Sequence, residues 1–219
     1  RALIERGFPG VHVSISSDVS RQLREYERTS TTLANAYIKP LAERYLERLA
    51  QRLAGIRIEA PLFMMLSNGG LTHIAEAKRV PIQLLESGPA VGALAAAFFG
   101  LRSGERNLLA LDMGGTTAKL AVVEDGEPLV AYRFEAGREQ RFMEGSGMPI
   151  NISTIELIEI GAGGGSIAAV NELGLLKVGP RSAGAQPGPA CYGLGGEEPR
   201  VTDANLLLGC YDAHPFARG

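Results

Sequence analysis

The chain has no tryptophan, two cysteines and three histidines in 219 residues. Cys191 and Cys210 cannot build a disulfide framework or a structural zinc site. His12, His73 and His214 lack the spacing of metal ligands and read as structural or exposed groups. Charge of one sign is lacking too: 22 basic residues face 24 acidic ones, for a formal net charge of −2. No basic excess points to nucleic acid, and there is no acidic tail. The longest apolar runs, such as residues 93–99, fall far short of the ~20 residues that span a bilayer. The opening, RALIERGFPG, has neither an initiator Met nor the hydrophobic region of a signal peptide, and it reads as mid-helix. The expectation is a cytoplasmic piece of a longer polypeptide.

What is present is an ordinary globular composition, 45% hydrophobic and 21% charged, with an excess of glycine, 28 residues. The length suffices for one large or two small domains with a sizeable core. The glycines cluster in motifs, which points to tight ligand-binding turns and away from disorder.

Periodicity sets out a mixed order of elements. Residues 11–15 alternate and predict a short strand. A long helix follows, with Leu41, Tyr45, Leu49 and Leu53 as its apolar stripe, Pro40 starting or kinking it and Gly55 ending it. The pattern then predicts a strand at 62–66, a turn at Ser67-Asn68-Gly69-Gly70, a short helix at 74–79, a strand at 82–85 and a small-residue helix at 90–99. A central strand at 107–112 precedes a hairpin, 119–123 with 129–134, whose turn is Glu124-Asp125-Gly126-Glu127. A strand at 155–160, a second hairpin (167–170 with 175–178), a Gly/Pro-rich loop at 179–196 and a helix at 204–208, capped by Thr202 or Asp203, complete the pass. The class is α/β with a mixed sheet. Residues 1–60 read as a helical lead-in and 61–219 as a nucleotide-binding α/β core.

The chemistry concentrates in LLALDMGGTTAK. An apolar strand delivers Asp112, turns through Gly114 and Gly115, and presents Thr116 and Thr117. Glycines let backbone approach anionic oxygens, hydroxyls donate to them, and the carboxylate orients a metal ion or its water. ATP with Mg²⁺, the metal on Asp112, fits that set; a plain hairpin turn is the alternative. Lys119 either touches a phosphate or points to solvent. A second glycine run, Gly161, Gly163, Gly164, Gly165 and Ser166, follows Glu159 and is either a ligand segment or a β-bulge. Gly184, Gly188, Cys191 and Tyr192 lie in the long loop, a candidate substrate wall or lid. No histidine is near Cys191 in sequence, which favours a structural thiol over a nucleophile. Asp203 is either a helix cap or a ligand of Mg²⁺ or substrate. Asn68 and Ser87 either border a cleft or only initiate turns.

In order along the chain, REYERTSTTLANAYIKP, LSNGG, SGPAVGALAAA, LDMGGTTAKLAVVEDGEP, EIGAGGGSIAAV, VGPRSAGAQPGPACYG and VTDANLLLG resemble the hydantoinase A/5-oxoprolinase family. TTAK and EDGEP are most similar to the N-methylhydantoinase A-type members. The resemblance implies an actin-like ATPase (ribonuclease H-like) fold and an ATP-dependent opening of a cyclic amide such as hydantoin or 5-oxoproline. ATP would phosphorylate the carbonyl oxygen, and water would attack the resulting imidate. It implies ATP and Mg²⁺ as cofactors, a hydantoinase B-type subunit or domain as partner, and an oligomer, with no role for nucleic acid or membrane. Ketone carboxylation, or another phosphotransfer of the same superfamily, is the alternative. Gly161–Ser166 would then be the adenosine segment. A separate amino-terminal domain with its own phosphate loop would precede this chain in a complete subunit. Arg181 and Gln186 stand where the family pattern carries acidic residues.

Overall fold

The computed structural model describes residues 2–139, 143 and 145–212. The chain opens with helices α1 (Ala2–Gly7), α2 (Ser16–Val19) and α3 (Glu25–Gly55), then the ribbon β1 (Phe63–Met65) and β2 (Leu71–His73). Helix α4 (Ile74–Arg79), a 3₁₀ turn at Pro81–Leu84 and α5 (Ser87–Ser103) lead to β3 (Leu108–Met113) and β4 (Ala118–Glu124). Short strands follow: β5 (Glu127–Pro128), β6 (Val130–Ala131), β7 (Phe134–Ala136), β8 (Met148–Ile150), β9 (Thr154–Ile155) and β10 (Ile158–Ile160). The hairpin β11 (Ser166–Val170) and β12 (Leu176–Ser182), a 3₁₀ turn at Ala190–Tyr192 and α6 (Val201–Leu207) end it. The architecture is mixed α/β. The main sheet has the order β10-β4-β3, with β5 also on β4. No helix among the described residues is long and apolar enough to cross a membrane.

Two compact units share the chain. The first comprises Arg1–Arg106 and Val123–Glu156; the second comprises Asn107–Val122 and Leu157–Gly219. In the first, Val19, Val80, Ile82, Ile150 and Ile152 form a buried cluster, with Ala34, Ile38 and Phe134 packed on it. Asp125 and Gly126 both have positive φ, 52° and 86°, the conformation a two-residue hairpin turn demands, and β4 pairs β5 antiparallel there, Val123 with Pro128 and Glu124 with Glu127. The ladder ends at once: residues 129–134, expected as the second strand, pair elsewhere, Val130–Ala131 with β9 and Phe134 with β8.

Further sequence expectations fail in this unit. Residues 11–15 form no strand. Lys39 Nζ donates to the Val13 carbonyl at 3.3 Å and Asn35 Nδ2 to Ser14 Oγ at 3.1 Å, so the segment is pinned to α3 by side chains and pairs with no strand. Residues 82–85 form a 3₁₀ turn because Pro81 starts it and cannot donate to a ladder. The apolar stripe on α3 is only half covered, with Leu49 and Leu53 half-buried and its first two members outside. Leu41 and Tyr45 are 67% and 62% exposed, while Thr31, Asn35, Lys39 and Leu46 are buried. Pro40 lies within the 31-residue helix and does not start it.

In the second unit β11 and β12 pair antiparallel with an irregularity between Ser166 and Ala168, close to the predicted hairpin. Among the described residues its buried apolar side chains are few: Ala110, Ala118, Ala121, Ile167 and Pro189. The candidate phosphate turn, the second glycine run and the Gly/Pro loop belong to this unit, while Asn68 and Ser87 belong to the first.

Candidate functional site

Strand β3 carries Asp112 at its penultimate position, exposed to solvent. The chain then turns sharply, and the Gly114 N–H donates to the Thr117 carbonyl at 3.0 Å. Among the described residues, the Asp112 carboxylate, the Gly115 and Thr116 N–H groups and the two threonine hydroxyls have no hydrogen-bond or ion-pair partner. A Cβ built on Gly115 meets nothing within 4 Å, and one on Gly114 meets only the Thr117 carbonyl at an ordinary 3.6 Å. The fold therefore does not require glycine here. A ligand drawn against the backbone would. Exposed N–H groups, hydroxyls and one carboxylate at one point suit a phosphate with its Mg²⁺, which takes one or two protein carboxylates and fills its shell with water and phosphate oxygens. No cluster of three or more His, Cys, Asp or Glu residues that could hold a metal ion occurs among the described residues.

The second glycine run lies directly on this turn. Gly164 N–H donates to the Gly114 carbonyl at 2.9 Å and Gly165 N–H to the Gly115 carbonyl at 2.7 Å. A Cβ on Gly163 would fall 2.6 Å from the Gly114 oxygen and 2.7 Å from the Thr116 nitrogen, so the backbones touch. Ser166 is fully buried, and its hydroxyl accepts the Gly163 N–H at 2.9 Å. That hydroxyl shapes the loop from inside. A Cβ on Gly179 would come 2.9 Å from the Gly161 carbonyl, which fixes the start of the run.

The Gly/Pro loop is tied to α6 by Asp203. Its carboxylate accepts the Cys191 N–H at 2.8 Å and the Arg200 N–H at 2.9 Å. Burial pushes the Asp203 carboxyl up, but hydrogen bonds from Cys191 N–H, the Cys191 thiol, Arg200 N–H and Ala190 N–H outweigh it, and the group sits below its ordinary value. Burial, and then the hydrogen bond to Asp203 and its negative charge, push the Cys191 thiol up. A thiol so held stays protonated at neutral pH, which is the opposite of an activated nucleophile. Asp203 does not stand before the helix as expected: α6 begins at Val201 with Arg200 as its N-cap, and Asp203 is the third helical residue, whose carboxylate reaches back to close the helix start. Gly188 adopts φ +70°, and a Cβ there would meet the Ala185 carbonyl at 2.7 Å and the Tyr192 ring at 2.8 Å, so Tyr192 packs against it. Gly184 is exposed, and its N–H reaches Ser182 Oγ at 3.3 Å.

A hydantoinase/oxoprolinase family model matches residues 28–219. The chain belongs to the hydantoinase/oxoprolinase family. It is 39% identical to the caprolactamase subunit alpha of Pseudomonas jessenii over 95% of this chain and 29% of that protein. The crystal structure of the ATP-dependent caprolactamase from that organism superposes with a TM-score of 0.71 at 38% identity, over 96% of this chain and 29% of the other. The acetophenone carboxylase gamma subunit of Aromatoleum aromaticum is 34% identical over 95% of this chain and 27% of its own length. The chain thus spans under a third of each of these relatives.

Against this family background the remaining expected residues sort clearly. Lys119 lies opposite Glu159 in the β4–β10 register, 4.0 Å from its carboxylate, with its side chain 16% exposed; it does not project freely into solvent. Arg181 pairs with Glu198 at 3.1 Å. Asn68 Oδ1 accepts the Gly70 N–H at 2.9 Å, a turn role. His12 pairs with Glu43, and His73 Nδ1 accepts the Ala75 N–H; His214 lies outside the described residues. Sequence reasoning missed Arg200 and offered Thr202 only as a helix cap. Thr202 is buried against Gly164, and Arg200 is 3% exposed, with one nitrogen on the Glu198 carbonyl at 2.8 Å. VTDAN marks a helix start, yet nothing in it tells which neighbour the threonine hydroxyl will find.

Proposed function

We propose that this chain forms part of the nucleotide-binding core of an ATP-dependent enzyme subunit that opens a cyclic amide, on an actin-like fold. The observation that carries the reading is the turn after β3, where unpartnered donors and a carboxylate meet at a glycine the fold itself does not need. Its family membership and the ATP-dependent lactam-opening relative support the same reading.

When bound, ATP with Mg²⁺ supplies a phosphoryl group that turns the inert amide oxygen into part of a good leaving group. Asp112 orients the metal's water shell. The Gly115 and Thr116 N–H groups and the Thr116 and Thr117 hydroxyls hold phosphate oxygens, so catalysis here is positioning and charge neutralisation. Gly163, Gly164 and Gly165 back the turn, and of the segment from Gly161 to Ser166 it is the half-buried start, Gly161 and Ala162, whose backbone is left for the adenosine. Gly184, Gly188, Cys191 and Tyr192 wall the substrate side, with Asp203 holding that loop in place. A hydantoinase B-type subunit or domain completes the enzyme.

The test is ADP release by the full-length protein with its partner subunit, with and without hydantoin, 5-oxoproline or caprolactam. A cyclic amide should stimulate turnover, and Asp112→Asn should lower the stimulated rate by about 100-fold. Near-normal turnover in Asp112→Asn overturns the role of that residue. The 34% identity to a carboxylase subunit favours a second reading, ketone carboxylation. Stimulation by a ketone with bicarbonate, and a carboxylated product in place of an opened ring, would establish it.

A further inference from the structure

Thr202 makes a contact that its position in the first turn of α6 does not explain. It is 8% exposed, and both its N–H (2.9 Å) and its hydroxyl (2.8 Å) donate to one acceptor, the Gly164 carbonyl. The other side of the Gly164 peptide region is held as well, because Gly164 N–H donates to the Gly114 carbonyl at 2.9 Å. A Cβ on Gly164 would lie 2.6 Å from Thr202 Oγ1, so no side chain fits between the helix and the loop. Gly164 is therefore clamped between α6 and the turn that carries Asp112, Gly115 and Thr116. The helix end itself is anchored by the Asp203 carboxylate, on the Cys191 and Arg200 N–H groups.

We propose that Thr202 is a positioning residue: through the doubly bonded Gly164 carbonyl it sets the Gly114–Thr117 turn where phosphate is to be held. A helix N–H alone would satisfy the carbonyl. The added hydroxyl removes a second degree of freedom, the swing of the peptide about that bond, and the loop resting on Gly164 inherits the restraint. The functional half of this proposal rests on the nucleotide reading above; the structural half does not.

The experiment uses the full-length protein with its partner subunit, as wild type, Thr202→Val and Thr202→Ser. Amide hydrogen exchange without ligand is read at Gly164 and Gly165, whose N–H groups bond the turn, and at peptides of the first unit as a control. Thr202→Val should exchange about tenfold faster at Gly164 and Gly165, the effect of losing one buried hydrogen bond, with the control unchanged. Thr202→Ser should match wild type. With ATP, Thr202→Val should raise the KM for ATP by a similar factor and leave kcat within about twofold. Wild-type exchange in Thr202→Val overturns the proposal, and so does Thr202→Ser behaving like Thr202→Val, because packing of the methyl and not the hydroxyl would then be at work. If Thr202→Val unfolds throughout, wild-type exchange and KM in Thr202→Ser, against faster exchange in Thr202→Ala, support it. Faster exchange in Thr202→Val in a protein that binds no ATP upholds the clamp and overturns the nucleotide reading alone.

Discussion

Beneath α3 buried polar groups are matched by side chains. Asn35, fully buried, spans Ser14 Oγ at 3.1 Å and the Ile82 N–H at 3.2 Å, and Thr31 Oγ1 accepts the Asn151 N–H at 2.8 Å. Around the phosphate turn the matching is done by bare backbone, Gly164 and Gly165 on Gly114 and Gly115 at 2.9 and 2.7 Å. The two regions solve the same problem, since a buried N–H or C=O must be paired, but they fail differently. A side-chain seam breaks when an atom is removed. A backbone contact breaks when one is added.

The sharpest way to break that comparison is Gly163→Ala. Its Cβ would sit within 2.7 Å of three backbone atoms of Gly114 and Thr116, which have no rotamer with which to yield. The loop pair should lose about 3 kcal/mol of local stability, read by hydrogen exchange at Gly164 and Gly165. Gly115→Ala, with nothing within 4 Å of its Cβ, should stay within about 0.5 kcal/mol of wild type. If the turn holds phosphate as proposed, that same variant should weaken ATP binding, because its methyl would fill the phosphate's space. Equal stability losses at the two positions would remove the distinction between a glycine kept for packing and one kept for a ligand.

The seam under α3 should respond to deletion. Asn35→Leu keeps much of the volume but leaves the Ile82 N–H buried without its acceptor, at a cost of about 2 kcal/mol. Exchange at Ile82 is the local readout. A neutral result would mean that water or another carbonyl takes over, and the seam would then be less specific than its geometry states.

How much of this was legible in the sequence follows the same division. LDMGGTT and GAGGGS were readable because glycine and hydroxyl types at fixed spacing have few uses, and β3, the turn after it and the β11–β12 hairpin fell close to where the pattern set them. The type of contact between the two glycine runs was not readable, since spacing along the chain says nothing of which carbonyl meets which N–H. The α3 stripe was misread for a related reason. Leu41 and Tyr45 look like a core face, but the face that is covered carries Thr31, Asn35 and Lys39, whose partners come from residues 13–14, 82 and 151, too far away in sequence to be seen. Tertiary pairing, which makes polar groups acceptable inside, overrode the apolar pattern.

The smallest expected effect lies where the two modes meet, at Asp203, a side chain that pairs backbone groups of the Gly/Pro loop. Its carboxyl is held below the ordinary value, so the unfolded chain binds a proton there first as pH falls. The stability it contributes is present above the unfolded carboxyl pKa and is lost as pH drops through the folded one. The Cys191 thiol is held above its ordinary value, so its contribution is present below the unfolded thiol pKa and is lost as pH rises through the folded one. The loop should therefore be tightest between those limits, with exchange at the Cys191 N–H rising at both ends. Alkylation adds a second readout. At pH 8 Cys210, which is exposed, should be modified about tenfold faster than Cys191, which is partly buried and kept protonated. Asp203→Asn removes the charge that helps hold the thiol up and should narrow that gap. A gap unchanged in Asp203→Asn would leave burial as its whole cause and would place Asp203 wholly in the backbone mode, as a cap for Cys191 and Arg200 and nothing more.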